Sequence, residues 1–351
     1  MVGNKPSKKK VPFPVFEPLH EYLVKHGRLA DLHIQYEDMT HYITNTPLYN
    51  IKGKDTFWET VIYSEYDQKW IHQALCNLYA LLKTDGDIKV IDHLTVSRID
   101  YCVFGNTKPF RIRIINKLND NYDHFYVKKT DASRIYGLEL EELLSPNSVS
   151  YLIDNHTLIE EHIAGLPGDD FMNNHLNVDT FNQIRIAKEF VKFNERCFVQ
   201  LLGDMRAYNY IVDITPDIEG FQYRIRPIDF DQQSYEGRKQ FYLPQYFKEN
   251  NAILKLGFDN LTYDSVKQYQ HEERSLIARR AKISSTRLNS LLSTMVEDVI
   301  STPAKVEQLR YELYQHHHNT AYLRCQSMGE IVMQNIKLVV QKEFTQSIIG
   351  I

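Results

Sequence analysis

Cysteine is scarce in this chain. The four present (Cys76, Cys102, Cys197 and Cys325) are far apart and form no CxxC or Cys/His spacing. That argues against a disulfide framework or a cysteine-based zinc site, and predicts reduced core thiols in a cytosolic setting. Long apolar runs are also missing. Pro12 and Pro14 interrupt the chain directly after the basic residues of "NKPSKKK" (4–10), which argues against a signal peptide and a membrane span. No charge of one sign dominates: 41 Lys and Arg stand against 45 Asp and Glu, a net charge of -4. A nucleic-acid partner is therefore not expected, and the basic run at 4–10 reads as a solvated tail. Internal repeats and low-complexity segments are absent too. What remains is 351 residues, 43% of them hydrophobic, enough for one large domain or two or three lobes.

The pattern changes twice along the chain. Residues 1–94 read as a mixed N-terminal extension. Its clearest element is "DQKWIHQALCNLYALLKTDG" (67–86), a helix with Trp70, Ala74, Leu78 and Leu81 on one face and Asp67 as cap. From 95 to 164 strand alternation takes over: a hairpin around "GNTKP" (95–116), a strand "DHFYVKK" (123–129), and two strands around an Asn-His turn (149–165). One helix, "ASRIYGLELEELLSP", interrupts them and is helical in its later part. Beyond "GLPGDD" the chain turns helical. The run 179–204 places Phe181, Ile184, Ala187, Val191, Phe198 and Leu201 near a common face, with Asp179 as N-cap. A hairpin around "TPDIEG" follows, then a mostly helical remainder. The fold class expected is α+β, a small antiparallel sheet followed by a helical region.

One stretch carries chemistry: "LLGDMRAYNYIVDITPDIEGFQYRIRPIDFDQQSYEG" (201–237). Asp204 stands where a long helix ends, and Asn209 opens a strand five residues on. Asp229 closes the partner strand, so the hairpin can return it beside Asn209. Two metal-binding oxygens and a separate carboxylate would then share one place. That set suits phosphoryl transfer, which needs an anchored metal, a cation at the phosphates and an acid beside the acceptor hydroxyl.

"GDMRAYN" followed by "IDFD", after a helix and across a hairpin, resembles the catalytic and metal loops of the protein-kinase-like superfamily. That group includes the aminoglycoside and choline phosphotransferases, the HipA-type kinases, lipid kinases and the CotH spore-coat kinases. "RPIDFDQQSYEG", with a Pro ahead of Asp-x-Asp, resembles the CotH form. The resemblance covers roughly 95–237 and implies a two-lobed kinase-like fold, with the N-lobe at 95–164 and the C-lobe at 165–351. It implies ATP and Mg²⁺ as cofactors. Asp204 would be the catalytic Asp that orients the acceptor hydroxyl or accepts its proton, Asn209 and Asp229 the metal ligands, and Asp231 an additional acidic candidate. Lys128 or Lys129 would pair the phosphates. Strand alternation sends the two to opposite faces, and the sequence does not choose between them. Glu139, Glu141 or Glu142 on the following helix would hold that lysine, and Glu161, His162 and Ile163 would meet the adenine. Gly105 is the lone glycine of the loop corresponding to the phosphate loop.

Departures accompany the resemblance. Leu202 stands two before Asp204, where many kinases carry His or Tyr. The hairpin after Asn209 is long, the lysine-to-helix distance is short, and "VFGNTKPF" is poor in the glycine that close backbone approach to phosphate requires. These keep a nucleotide-binding scaffold without chemistry in view as the alternative to an ATP-dependent phosphotransferase, and the acceptor is open between a protein and a small molecule. Two other features read as ordinary surface: "HHH" (316–318), whose side chains diverge on a helix, and the charged helical face "HEERSLIARR" (271–280).

Overall fold

The computed structural model describes residues 10–50, 52–84, 88–104, 107–176, 181–218 and 220–349. The described helices include, in chain order, α1 (Glu17–Lys25), α4 (Gly168–Asn174), α8 (Ser285–Glu297) and α9 (Pro303–His317). The chain divides into two units. One comprises Met1–Val15, Leu23–Thr130 and Val149–His162, and the other Phe16–Tyr22, Asp131–Ser148 and Ile163–Ile351.

The first unit is built on a seven-stranded antiparallel sheet. Its strands are β1 (Thr44–Tyr49), β2 (Asp55–Ile62), β3 (Leu94–Cys102), β4 (Phe110–Asn116), β5 (Tyr122–Lys129), β6 (Tyr151–Asp154) and β7 (Thr157–Glu161). They lie in the order β1-β2-β3-β4-β5-β7-β6. The hairpins read from alternation are present, and Asn155 takes the left-handed conformation (φ 50°) that the β6–β7 turn requires. β2 pairs with β3 through Thr60 and Asp100, so part of the region ahead of residue 94 belongs to this same sheet.

Period two sorts the strands into two faces. Phe110, Ile112, Ile114, Phe125 and Val127 are all buried on one, beneath helix α2 (Glu65–Thr84). The stripe that α2 contributes is Ile71, Ala74, Leu75, Leu78 and Leu82. It is rotated from the expected face, because Trp70 stays partly in solvent with its indole N–H donating to Asp67. The cap is also displaced: Ser64 Oγ, not Asp67, accepts an N–H of the first turn. Each large side chain buried in this way contributes about 1.5–3 kcal/mol relative to exposure.

In the second unit the long central helix α5 (Gln183–Gln200) is capped by Asn182, whose side chain accepts from the Arg185 N–H, while Asp179 lies outside the described residues. Its buried face starts at Ile186 rather than Ile184, which is 50% exposed, and from Phe193 onward every residue is buried. All-round burial is what a helix enclosed by its neighbours shows. Those neighbours include α6 (Asn251–Asn260), α7 (Tyr263–Ile283) and α10 (Met328–Ile349). The charged face expected on α7 is not wholly solvated. Glu273 is buried and receives Arg196 at 3.1 Å, and Arg274 pairs with Glu195 at 2.5 Å. Helix α3 (Ala132–Leu144) is helical from its start, where Asp131 caps the Ser133 N–H. A three-stranded sheet of β8 (Leu166–Pro167), β9 (Tyr210–Asp217) and β10 (Gly220–Pro227) completes the frame of the candidate site. β9 and β10 take up most of "TPDIEG", so their turn is tighter than the sequence suggested.

Candidate functional site

The end of α5 decides where Asp204 goes. Leu201 adopts φ 55° as the helix cap, and the Leu202 N–H still reaches back to the Cys197 carbonyl. Gly203 follows in a crowded place: a Cβ there would lie 2.7 Å from the Phe241 ring and 3.0 Å from the Gln232 carbonyl. Asp204 then takes φ 59°, a left-handed conformation that aspartate tolerates better than most residues. Its N–H donates to the Phe241 carbonyl at 3.1 Å, so backbone on both sides holds the loop.

Asp204 Oδ1 accepts from Arg206 Nε at 2.8 Å, and Arg206 Nη1 donates to Glu249 at 3.0 Å. Burial pushes the Asp204 carboxyl above its usual range. Arg206 opposes that shift, and Glu249 and Glu236 add to it. Asn209 turns its amide nitrogen to the Asp204 carbonyl at 2.7 Å, which points its Oδ1 away from that loop. The Ile228 N–H donates to the Asn209 carbonyl at 3.0 Å, one step beyond the last β9–β10 pair, Tyr210 with Pro227. That bond sets Ile228, the residue before Asp229, against Asn209. Asp229 Oδ1 accepts from the Asp231 N–H at 3.0 Å and from Arg134 Nη1 at 3.0 Å, and Asp231 accepts from the same nitrogen at 2.6 Å.

Asp204, Asn209, Asp229 and Asp231 are thus gathered within the second unit. Among the described residues no group of three or more His, Cys, Asp or Glu side chains is arranged to hold a metal ion. An Asn carbonyl with a neighbouring carboxylate nonetheless fits Mg²⁺, which takes few protein oxygens and completes its shell with water and phosphate.

The other candidates lie elsewhere. Lys128 is on the sheet face opposite the core, with its Nζ 3.0 Å from Glu160 and 5.2 Å from the Tyr126 ring centre. Both side chains of that ion pair are buried, at 8% and 3% exposure. Lys129 points the other way, to a half-exposed pairing with Glu37 at 3.1 Å. The helix glutamates have partners in their own unit. Glu139, fully buried, accepts from Arg287 at 2.6 Å and from the Tyr22 hydroxyl at 2.5 Å. Glu142 faces Arg287 at 3.5 Å, and Glu141 accepts from Asn147 at 3.0 Å. Glu161 pairs with Lys83 at 2.9 Å and accepts the Ser150 N–H. His162 Nδ1 lies 3.1 Å from the Tyr126 hydroxyl, and burial lowers its pKa. Ile163 is buried, and Gly105 lies outside the described residues. Of the three histidines, His316 and His317 pack against Phe198 and His318 caps the helix end in a left-handed conformation.

Three residues that bond these candidates were not singled out in the sequence: Arg134, Arg206 and Glu160. Only Glu160 was within reach of pattern reasoning, because strand pairing sets it opposite Tyr126 on the Lys128 face.

No protein-family model matches this sequence, and no curated protein matches it. Among solved structures the chain is similar to one described as "Titin kinase and its flanking domains", at 14% identity and a TM-score of 0.28. The match covers 69% of this chain and 54% of that one, so the chain spans about half the length of its structural neighbour. A score this low carries no argument about chemistry, which rests on the residues themselves. No helix among the described residues is long and apolar enough to cross a membrane.

Proposed function

We propose that this chain is an ATP-dependent phosphotransferase of the protein-kinase-like kind, moving the γ-phosphate to a hydroxyl of a protein or small molecule. The observation that carries the reading is the convergence of Asp204, Asn209 and Asp229. The 2.7 Å bond from the Asn209 amide to the Asp204 carbonyl and the 3.0 Å bond from the Ile228 N–H to the Asn209 carbonyl join the loops that carry the three.

On this reading Asn209 Oδ1 and the Asp229 carboxylate hold Mg²⁺, which neutralises phosphate charge when bound. Asp204 accepts the proton of the acceptor hydroxyl. Its raised pKa suits that task, since a general base works best when its pKa lies nearer the working pH. Arg206 fixes the orientation of that carboxylate through a charge-assisted bond. In the first unit Lys128 is the buried lysine of the adjacent two, held by Glu160 at 3.0 Å, while Lys129 is half-exposed.

A second reading, a nucleotide-binding scaffold without chemistry, draws on the same Lys128: its ammonium is already buried against a carboxylate and an aromatic ring. Replacing Asp204 by Asn separates the two. Turnover of ATP with candidate acceptors, or slow hydrolysis with water as acceptor, should fall about 10²–10⁴-fold in Asp204→Asn while nucleotide affinity holds. Equal activity in the two proteins would remove the catalytic reading.

A further inference from the structure

Helix α3 presents to the acidic end of the hairpin an arginine that the proposed chemistry leaves without a role. Arg134 is 1% exposed and among the largest fully buried side chains of the molecule. Its Nη1 donates to both Asp229 Oδ1 at 3.0 Å and Asp231 Oδ1 at 2.6 Å, while Nη2 donates to the Ile228 carbonyl at 3.2 Å. One guanidinium therefore fixes three of the four residues of the 228–231 segment. The helix grips that segment twice more. Ser133 Oγ donates to the Gln233 carbonyl at 2.6 Å. Phe230 lies against Gly137, where a Cβ would come within 3.0 Å of its side chain.

The two carboxylates are unequal. The Asp231 side chain is 10% exposed and takes the shorter bond, whereas the Asp229 side chain is 36% exposed and also accepts the Asp231 N–H. A planar guanidinium with fixed N–H directions suits such multiple anchoring, and a lysine could not reproduce it. Together Asp229, Asp231 and Arg134 carry a single net negative charge, so the arginine has already met half of the demand for a counter-ion.

Resting on the phosphotransferase reading, we propose that Arg134 is a positioning residue. It sets the Asp229 carboxylate in place and engages Asp231 as its own counter-ion, so the site takes one divalent cation through Asp229 and Asn209 rather than two. Asp231 is then a partner of Arg134 and not a metal ligand.

The test counts Mn²⁺ bound to the full-length chain in the presence of ADP, by electron paramagnetic resonance, with ADP binding followed in parallel. Wild type should hold one Mn²⁺. Asp231→Asn should still hold one, its affinity lowered by less than about tenfold through the lost charge. Arg134→Gln, with Asp231 released, should take up a second. Two Mn²⁺ in wild type would overturn the inference while leaving the phosphotransferase reading intact, as would a loss of about tenfold or more in Mn²⁺ affinity in Asp231→Asn. A folded Arg134→Gln that still holds one would overturn it as well. If that variant does not fold, the wild-type and Asp231→Asn counts decide alone. Wild type that binds neither ADP nor Mn²⁺ would remove both this inference and the reading beneath it.

Discussion

In the first unit the candidate lysine and its partner sit on strands and find each other through side chains. In the second the candidate acids sit on loops whose carbonyls and N–H groups take part in holding them. Lys128 meets Glu160 diagonally across two strands, and the fully buried Asp100 collects Arg98 and Arg111 on the same sheet. By contrast the Asp204 carbonyl accepts from the Asn209 side-chain amide and the Asn209 carbonyl from the Ile228 N–H, and arginines fasten the carboxylates as well. A strand face offers a regular grid on which any side chain can be exchanged. A loop locked by its own backbone holds a geometry that depends less on which neighbours surround it.

The contrast can be broken most sharply at the buried pair. Lys128→Met or Glu160→Leu alone leaves one charge buried without its counter-ion and should cost about 3–5 kcal/mol of unfolding free energy in denaturant titrations. The double variant should recover most of that loss, since replacing both partners with apolar groups is often close to neutral. Single variants that melt like wild type would show that this pair is not what orders the sheet face.

Gly203→Ala should be the next largest effect. The added methyl meets the Phe241 ring and the Gln232 carbonyl, and overpacking of this kind costs about 1–3 kcal/mol. The same change would shift Asp204, so activity should fall with stability. An unaltered melt would mean that the loop is not held tightly.

Asp204 itself should reveal its burial through pH. Its folded-state pKa is raised, so the native state binds more protons than the unfolded chain between the two pKa values. Its ionisation therefore weakens the fold as pH rises through that window, and Asp204→Asn should melt at higher temperature than wild type at neutral pH. A lower melting temperature would mean that its ion pair with Arg206 outweighs desolvation. Smallest of all should be Lys129→Ala. Its half-exposed pair with Glu37 contributes under about 1 kcal/mol, and salt should diminish even that.

These contrasts also explain which parts of the molecule could be read from the sequence. Asp204 and Asn209 are five residues apart, and a hairpin returns the chain to Ile228, so local spacing was enough to point to the loops that the Asn209 amide and the Ile228 N–H join. Lys128 and Lys129 were known to oppose each other, but no pattern says which face of a strand the core will cover. The answer follows from Val127, buried on the α2 side, which sends Lys128 the other way. Arg134 engages a carboxylate 95 residues later, and a contact of that range leaves no periodicity or spacing behind. The helical stripes on α2 and α5 were displaced by about one residue for a related reason. Trp70 and Ile184 are apolar, yet the packing of neighbouring elements leaves them partly exposed.

The central claim is tested most directly by a thermal-shift titration with ATP and ADP, with and without Mg²⁺, on wild type and Asp229→Ala. At a nucleotide concentration about a hundred times the dissociation constant, binding adds about 2.7 kcal/mol of stability. The account predicts a Mg²⁺-dependent shift of that order in wild type and its loss in Asp229→Ala. The absence of any nucleotide shift in a folded wild-type protein would contradict it.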